Sequence, residues 1–150
     1  MGTTIYNSND PRLQRRVPTT LTASKTFTGE DDGGVFLIAT DALTMTLPLI
    51  DANNIGMELT FVNTGADGNN IITLAPNALD AFHGGVVTST GANADATTSE
   101  ALLSWASGAI DKDFVNTKAT ANKGDSVTVV ALATTHWQIT AGAGEWASEA

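Results

Sequence analysis

The chain has 150 residues, of which 42% are apolar and only 15% charged, with 16 acidic residues against seven basic ones and no cysteine. That length suits one domain burying roughly 68–70% of its unfolded surface, and the missing cysteines exclude disulfide frameworks, thiolate metal sites and cysteine nucleophiles. The formal net charge of −9 argues against general nucleic-acid binding, which needs a basic footprint, and no apolar run is long enough for a membrane-spanning helix.

Residues 1–18 are polar, hold Pro11 and Pro18, and are expected to form an extended arm ahead of a single domain over 19–150. Within residues 1–16, Arg12, Arg15 and Arg16 outweigh the lone Asp10, so the body carries more than the whole net negative charge. The first ten residues lack the apolar core of a secretory signal, and Tyr6 stands where a myristoylation pattern wants Ser or Thr. Assembly in a cytoplasm is therefore expected.

The body opens with short strands at Thr19–Ala23 and Lys25–Thr28, then an acidic glycine turn, Glu30-Asp31-Asp32-Gly33-Gly34. Three adjacent carboxylates could draw a hard cation, but their spacing is not that of an EF-hand loop, and such turns are common on surfaces. Val35–Thr40 and Leu43–Leu47 flank Asp41-Ala42, a two-residue connection that could close a hairpin. Thr44 and Thr46 alternate with Leu43, Met45 and Leu47, the pattern of a half-buried strand, which Pro48 ends for want of an N–H.

Strands follow at Met57–Val62 and Ile71–Leu74, separated by the turn-rich run Asn63–Asn70, and another at Val86–Ser89. Thr90 to Thr98 reads as a mobile loop. Over Ser99–Asn116 the spacing of Leu102, Ala106 and Ile110, with Thr97 and Glu100 resembling a capping box, slightly favours a short helix or turn. Ala101, Leu103 and Trp105 also alternate. Val127, Val129 and Ala131 alternate with Thr128, Val130 and Leu132, which predicts a strand buried on both faces. Thr134-Thr135 then links it to His136–Thr140. The fold class expected is all-β: an antiparallel β-sandwich or barrel of about eight short strands, with at most one short helix.

Chemistry is hard to place on this chain. Its histidines, His83 and His136, sit in no G-x-S-x-G elbow and no H-E-x-x-H, and the glycines form no phosphate-binding loop. No catalytic residue, metal ligand or cofactor site is assigned. Trp105, Trp137 and Trp146 are read as core or subunit-interface residues, with sugar stacking as the other reading.

Taken in order, Leu47-Pro48, Gly56, Phe61-Val62-Asn63-Thr64-Gly65, Ile72-Thr73-Leu74, Asn116-Thr117-Lys118-Ala119-Thr120, Lys123-Gly124-Asp125 and Trp137 with Gly144-x-Trp146 form a series. It resembles the decoration (cement) proteins on the heads of tailed bacteriophages, from about residue 19 to the end. The resemblance implies a β-rich subunit, usually trimeric, that binds the major capsid protein on the virion exterior and reinforces the shell against DNA pressure. It implies no cofactor, enzymatic motif or membrane partner. In such proteins an N-terminal arm often reaches onto the shell, which points here to residues 5–17. Arg12, Arg15 and Arg16 would steer that arm, and Ile5, Tyr6, Leu13 and Val17 would anchor it. A fibre module reading a host glycan through loop 84–98 or 105–113 is the alternative, and a small hydrolase a third class.

Overall fold

Alternating apolar and polar residues make strands, and the turn residues between them decide where each strand goes. In the computed structural model, which describes residues 16–89 and 101–149, the regular structure of the described residues is all strand apart from one 3-10 turn at Gly29–Asp31. The strands are β1 (Thr19–Leu21), β2 (Lys25–Thr26), β3 (Gly34–Ile38), β4 (Leu43–Thr46), β5 (Glu58–Asn63) and β6 (Ile72–Ala75). They continue as β7 (Ala81–Ser89), β8 (Ala101–Trp105), β9 (Phe114–Asn116), β10 (Ser126–Ala133), β11 (His136–Ala143) and β12 (Trp146–Ser148). Two open sheets result, one ordered β1-β3-β5-β10-β11-β7-β8 and the other β12-β9-β6-β4-β2. Neither closes into a barrel.

The antiparallel expectation holds only in part. β1 to β7 alternate strand by strand between the two sheets, so each strand returns to its own sheet running in its original direction. Parallel pairs follow without any helix: β1 with β3, β3 with β5, β2 with β4, β4 with β6. A parallel pair needs a crossover connection, and here a strand of the opposite sheet supplies it. The second half of the chain is mostly antiparallel, although β7 pairs in parallel with β11.

This winding corrects three expectations. Asp41-Ala42 closes no hairpin, because β3 and β4 lie in different sheets and the turn carries the chain from one to the other. Ala42 makes that crossing at φ 58°, the left-handed region that costs a Cβ-bearing residue. No helix forms among the described residues of 99–116: Ala101–Trp105 pairs with β7 instead, and completing the sheet outweighs the helical spacing. Finally, β10 buries one face only, since Val127, Val129 and Ala131 point into the core while Leu132 is 52% exposed. The loop expected at 90–98 lies outside the described residues.

Both sheets feed one core. Phe36, Leu59, Phe61, Val127, Val129 and Trp137 come from the larger sheet; Met45, Ile72, Leu74 and Phe114 from the smaller. Phe27 packs edge-on against Phe36 and Phe61 at 4.8 and 5.3 Å, and Phe114 stacks on Trp146 at 5.6 Å. Because strand directions are fixed by register, the connections sort into two ends. One end gathers the turns 39–42, 64–71, 117–125 and 144–145; the other gathers 47–57, 76–80, 106–113 and the Thr134-Thr135 turn.

Candidate functional site

At the first end, phrases that are far apart in sequence meet. Asn63 closes β5, Asn116 closes β9, and Asp125 precedes β10; all three are buried. Asn63 Nδ2 donates to Asn116 Oδ1 at 2.8 Å, and Asn116 Nδ2 donates to Asp125 Oδ2 at 2.7 Å and to the Glu145 carbonyl at 2.8 Å. Asn70 Nδ2 reaches Asn63 Oδ1 and the Ile38 carbonyl, both at 3.2 Å. Gly144 runs at φ 98° with Asp125 against it, so that a Cβ there would fall 2.2 Å from the carboxylate. Four connections from both sheets are thereby tied together. Asn63, Asn116 and Asp125 are the joinery of this end.

On the outer face of the larger sheet, parallel pairing of β7 with β11 sets His83 beside Gln138 and brings its ring to His136, 4.0 Å between centroids. The two histidines are far apart in the sequence, and only the non-local pairing joins them. Burial first, and His136 second, hold the His83 pKa below the usual imidazole range. His136 Nε2 lies 3.1 Å from Gln138 Oε1. The two imidazoles are tilted by 33° to each other. Among the described residues no group of three or more His, Asp or Glu could hold a metal.

The acidic turn is spent on structure. Asp31 Oδ2 accepts from the Thr28 N–H at 3.0 Å and the Thr28 hydroxyl oxygen accepts from backbone N–H groups of the turn, a capping box, while Asp31 Oδ1 meets Lys25 Nζ at 3.2 Å. Asp32 Oδ1 accepts from Glu58 N.

Of the tryptophans read as core or subunit-interface residues, Trp137 and Trp146 fall in the core, because inward alternation puts each indole between the sheets. Trp105 ends β8 opposite Gly85, and its side chain lies outside the described set. Of the arm residues, Ile5, Tyr6, Arg12, Leu13 and Arg15 lie outside the described residues. Arg16 is ion-paired with Glu58 at the start of β5, and Val17 is 72% exposed.

The second end is organised around Asp80. Its Oδ2 accepts from Ile50 N at 3.0 Å, its backbone carbonyl from Asp111 N at 3.0 Å, and its own N–H reaches the Asn77 carbonyl at 2.8 Å. Asp80 Oδ1 and the Trp137 indole N–H are buried near each other without closing at hydrogen-bonding geometry. Burial pushes the carboxyl above the usual range, and the Ile50 N–H and the indole only partly offset it. Backbone bonds from Gly56 N to the Ala131 carbonyl and from Ala81 N to the Thr135 carbonyl join the remaining loops.

On that frame stand the large apolar side chains that face solvent: Leu49, Ile55, Leu79, Ile110 and Leu132, with Val17 at the arm root. Among the described residues all are aliphatic, and all lie at this end. Sequence reasoning did not group them: Ile110 entered only as a helical position and Leu132 only as part of a strand, and Leu49, Ile55 and Leu79 lie between strands. A recess of about 210 Å³ between Gly29, Asp32 and the 53–57 loop also opens here, below the roughly 300–1,000 Å³ of small-molecule pockets. Comparison with protein families and with curated proteins finds no match to this chain.

Proposed function

We propose that this chain is a structural subunit of a phage head, a decoration protein that binds the major capsid protein on the outside of the shell and holds neighbouring shell subunits together. The observation that carries the reading is the molecule's polarity. The root of the arm and the solvent-facing aliphatic residues share one end, while the opposite end is bound up in its own asparagine network. Aliphatic surface of that kind suits a protein partner. A glycan would ask for exposed aromatic faces, and the exposed large apolar residues among those described are aliphatic without exception.

The mechanism is adhesion without chemistry. The domain stands on the shell by one end and the arm extends the contact, its backbone adding to a shell strand or filling a groove between capsomers. Trimerisation multiplies such contacts, giving avidity without a large interface per subunit. Arg12 and Arg15 supply the arm's charge, since Arg16 is already held by Glu58.

The test uses expanded shells stripped of the protein. Deleting residues 1–17 abolishes co-sedimentation of the purified chain with them and leaves the far-ultraviolet circular dichroism of a folded β protein. Undiminished binding by the truncated chain refutes the arm's part in it.

A further inference from the structure

We propose that the arm-bearing loop end is the face set against the shell, and that it is built for a patch of shell protein that is aliphatic at its centre and cationic at its rim. The inference rests on the capsid reading above and goes further by naming the chemistry of the partner surface and the orientation of the subunit.

The centre is defined by Ile55, Leu79, Ile110 and Leu132, each at least half exposed. They come from three separate connections and the end of β10, yet backbone bonds stitch those segments together: Gly56 N to Ala131 O at 2.7 Å, Ala81 N to Thr135 O at 2.9 Å, Asp111 N to Asp80 O at 3.0 Å. Ala81 and Ile110 also form an isolated bridge. Side chains carried on a braced frame lose little freedom on docking, so burying them yields more net affinity than burying the same area on slack loops. At the far end, among the described residues, no large apolar side chain is exposed.

The rim is acidic. Glu30, Asp51, Asp111, Asp113 and Glu149 sit on the segments gathered at this end, with Lys112 between Asp111 and Asp113 in the sequence. Lys25 and Arg16, the other cations at this end, are engaged by Asp31 and Glu58. Carboxylates crowd each other here: burial, then Glu149 and Asp111, raise the pKa of Asp113. A cationic rim on the partner relieves that repulsion.

The same charge selects among occupants. A second copy meeting this end symmetrically would set acid rim on acid rim. A phospholipid surface or nucleic acid, both polyanionic, would be repelled in the same way. A protein patch rimmed by Lys and Arg is the partner left, and the arm's arginines ask for a different, acidic patch of the same shell. Two unlike patches fix the subunit's orientation as well as its affinity.

The experiment measures co-sedimentation of the full chain with stripped expanded shells. Leu132→Asp combined with Ile110→Asp weakens binding by at least about 100-fold, as the loss of two buried aliphatic side chains implies. Asp111→Lys with Glu149→Lys weakens it by about 10-fold or more and flattens its dependence on salt. Asn69→Asp, exposed at the far end, stays within about 2-fold of the wild type. All are surface positions, and thermal melts report whether each variant is folded. Wild-type binding with both loop-end variants unchanged overturns this assignment and leaves the capsid reading standing; loss from the rim variant alone overturns the aliphatic centre. No binding by the wild type overturns both.

Discussion

Asn116→Ala strikes the joint that ties the two sheets together. Asn116 is fully buried; it accepts one hydrogen bond from Asn63 and donates two, to Asp125 and to the Glu145 carbonyl. Truncation leaves the Asn63 amide without its partner and strips a charged acceptor of one donor, although Asp125 Oδ2 keeps the Asn122 N–H at 2.9 Å. A buried group left unpaired costs about 1–3 kcal/mol, more when it is charged, and water entering the space returns part of that. The expected loss is about 3–5 kcal/mol, a large share of the roughly 5–15 kcal/mol that holds a domain of this size. It appears as a fall in melting temperature of about 10–15 °C. Urea unfolding followed by tryptophan fluorescence suits the measurement, because Trp146 lies beside the network with its Nε1 donating to the Ala143 carbonyl. Asn122→Ala is the control: its exposed amide donates only to the Thr120 carbonyl, so the loss stays below about 0.5 kcal/mol. In a double-mutant cycle, Asn63→Ala and Asn116→Ala couple by about 1 kcal/mol or more. A loss under about 1 kcal/mol, or one equal to that of the control, refutes the joint.

Two backbone positions and one pH response follow from the same structure. Ala42→Gly stabilises the protein by about 0.5–1 kcal/mol by relieving a Cβ at φ 58°, and a net loss in chemical denaturation contradicts the strain. Thr135, β-branched at φ 68° in the β10–β11 turn, gains a similar amount as Asn, read by the same melts. His83 has a folded-state pKa below its unfolded value, so the unfolded chain binds the extra proton and stability falls as pH drops through the ordinary imidazole range. The difference in unfolding free energy between about pH 7.5 and about pH 5.5 therefore shrinks in His83→Gln; an unchanged difference rules the pair out as its source. Asp80 acts with the opposite sign: its carboxyl is raised, so its contribution is most favourable when protonated and is lost as pH rises through the folded value.

Strand positions were legible wherever one face is buried. The runs at β4, β5, β6 and β10 show inward residues at every second place, and the hairpin at Thr134-Thr135 sits where turn chemistry breaks the pattern. Pairing direction was not legible. A period of two looks the same in parallel and antiparallel ladders, and nothing local marks that Asp41-Ala42 changes sheets while Thr134-Thr135 turns back within one. The 99–116 region misled because Leu102, Ala106 and Ile110 fit a helix as well as Ala101, Leu103 and Trp105 fit a strand, and a place beside β7 decided the matter. The candidate surface was the least visible part. Ile55, Leu79, Ile110 and Leu132 are unremarkable singly and become a patch only when the register brings their segments to one end. Asn63 and Asn116 read in the sequence as turn residues, and their packing shows them to be a buried joint between the sheets.

The central claim is that this polypeptide works by adhesion to a capsid exterior, and electron cryomicroscopy of particles carrying it tests that claim most directly. The account predicts density at regular lattice points outside the shell, with the end of β10 that bears Leu132 toward the capsid protein and the turn bearing Asn69 toward solvent. Density confined to the tail, or a subunit standing on its asparagine end, contradicts it.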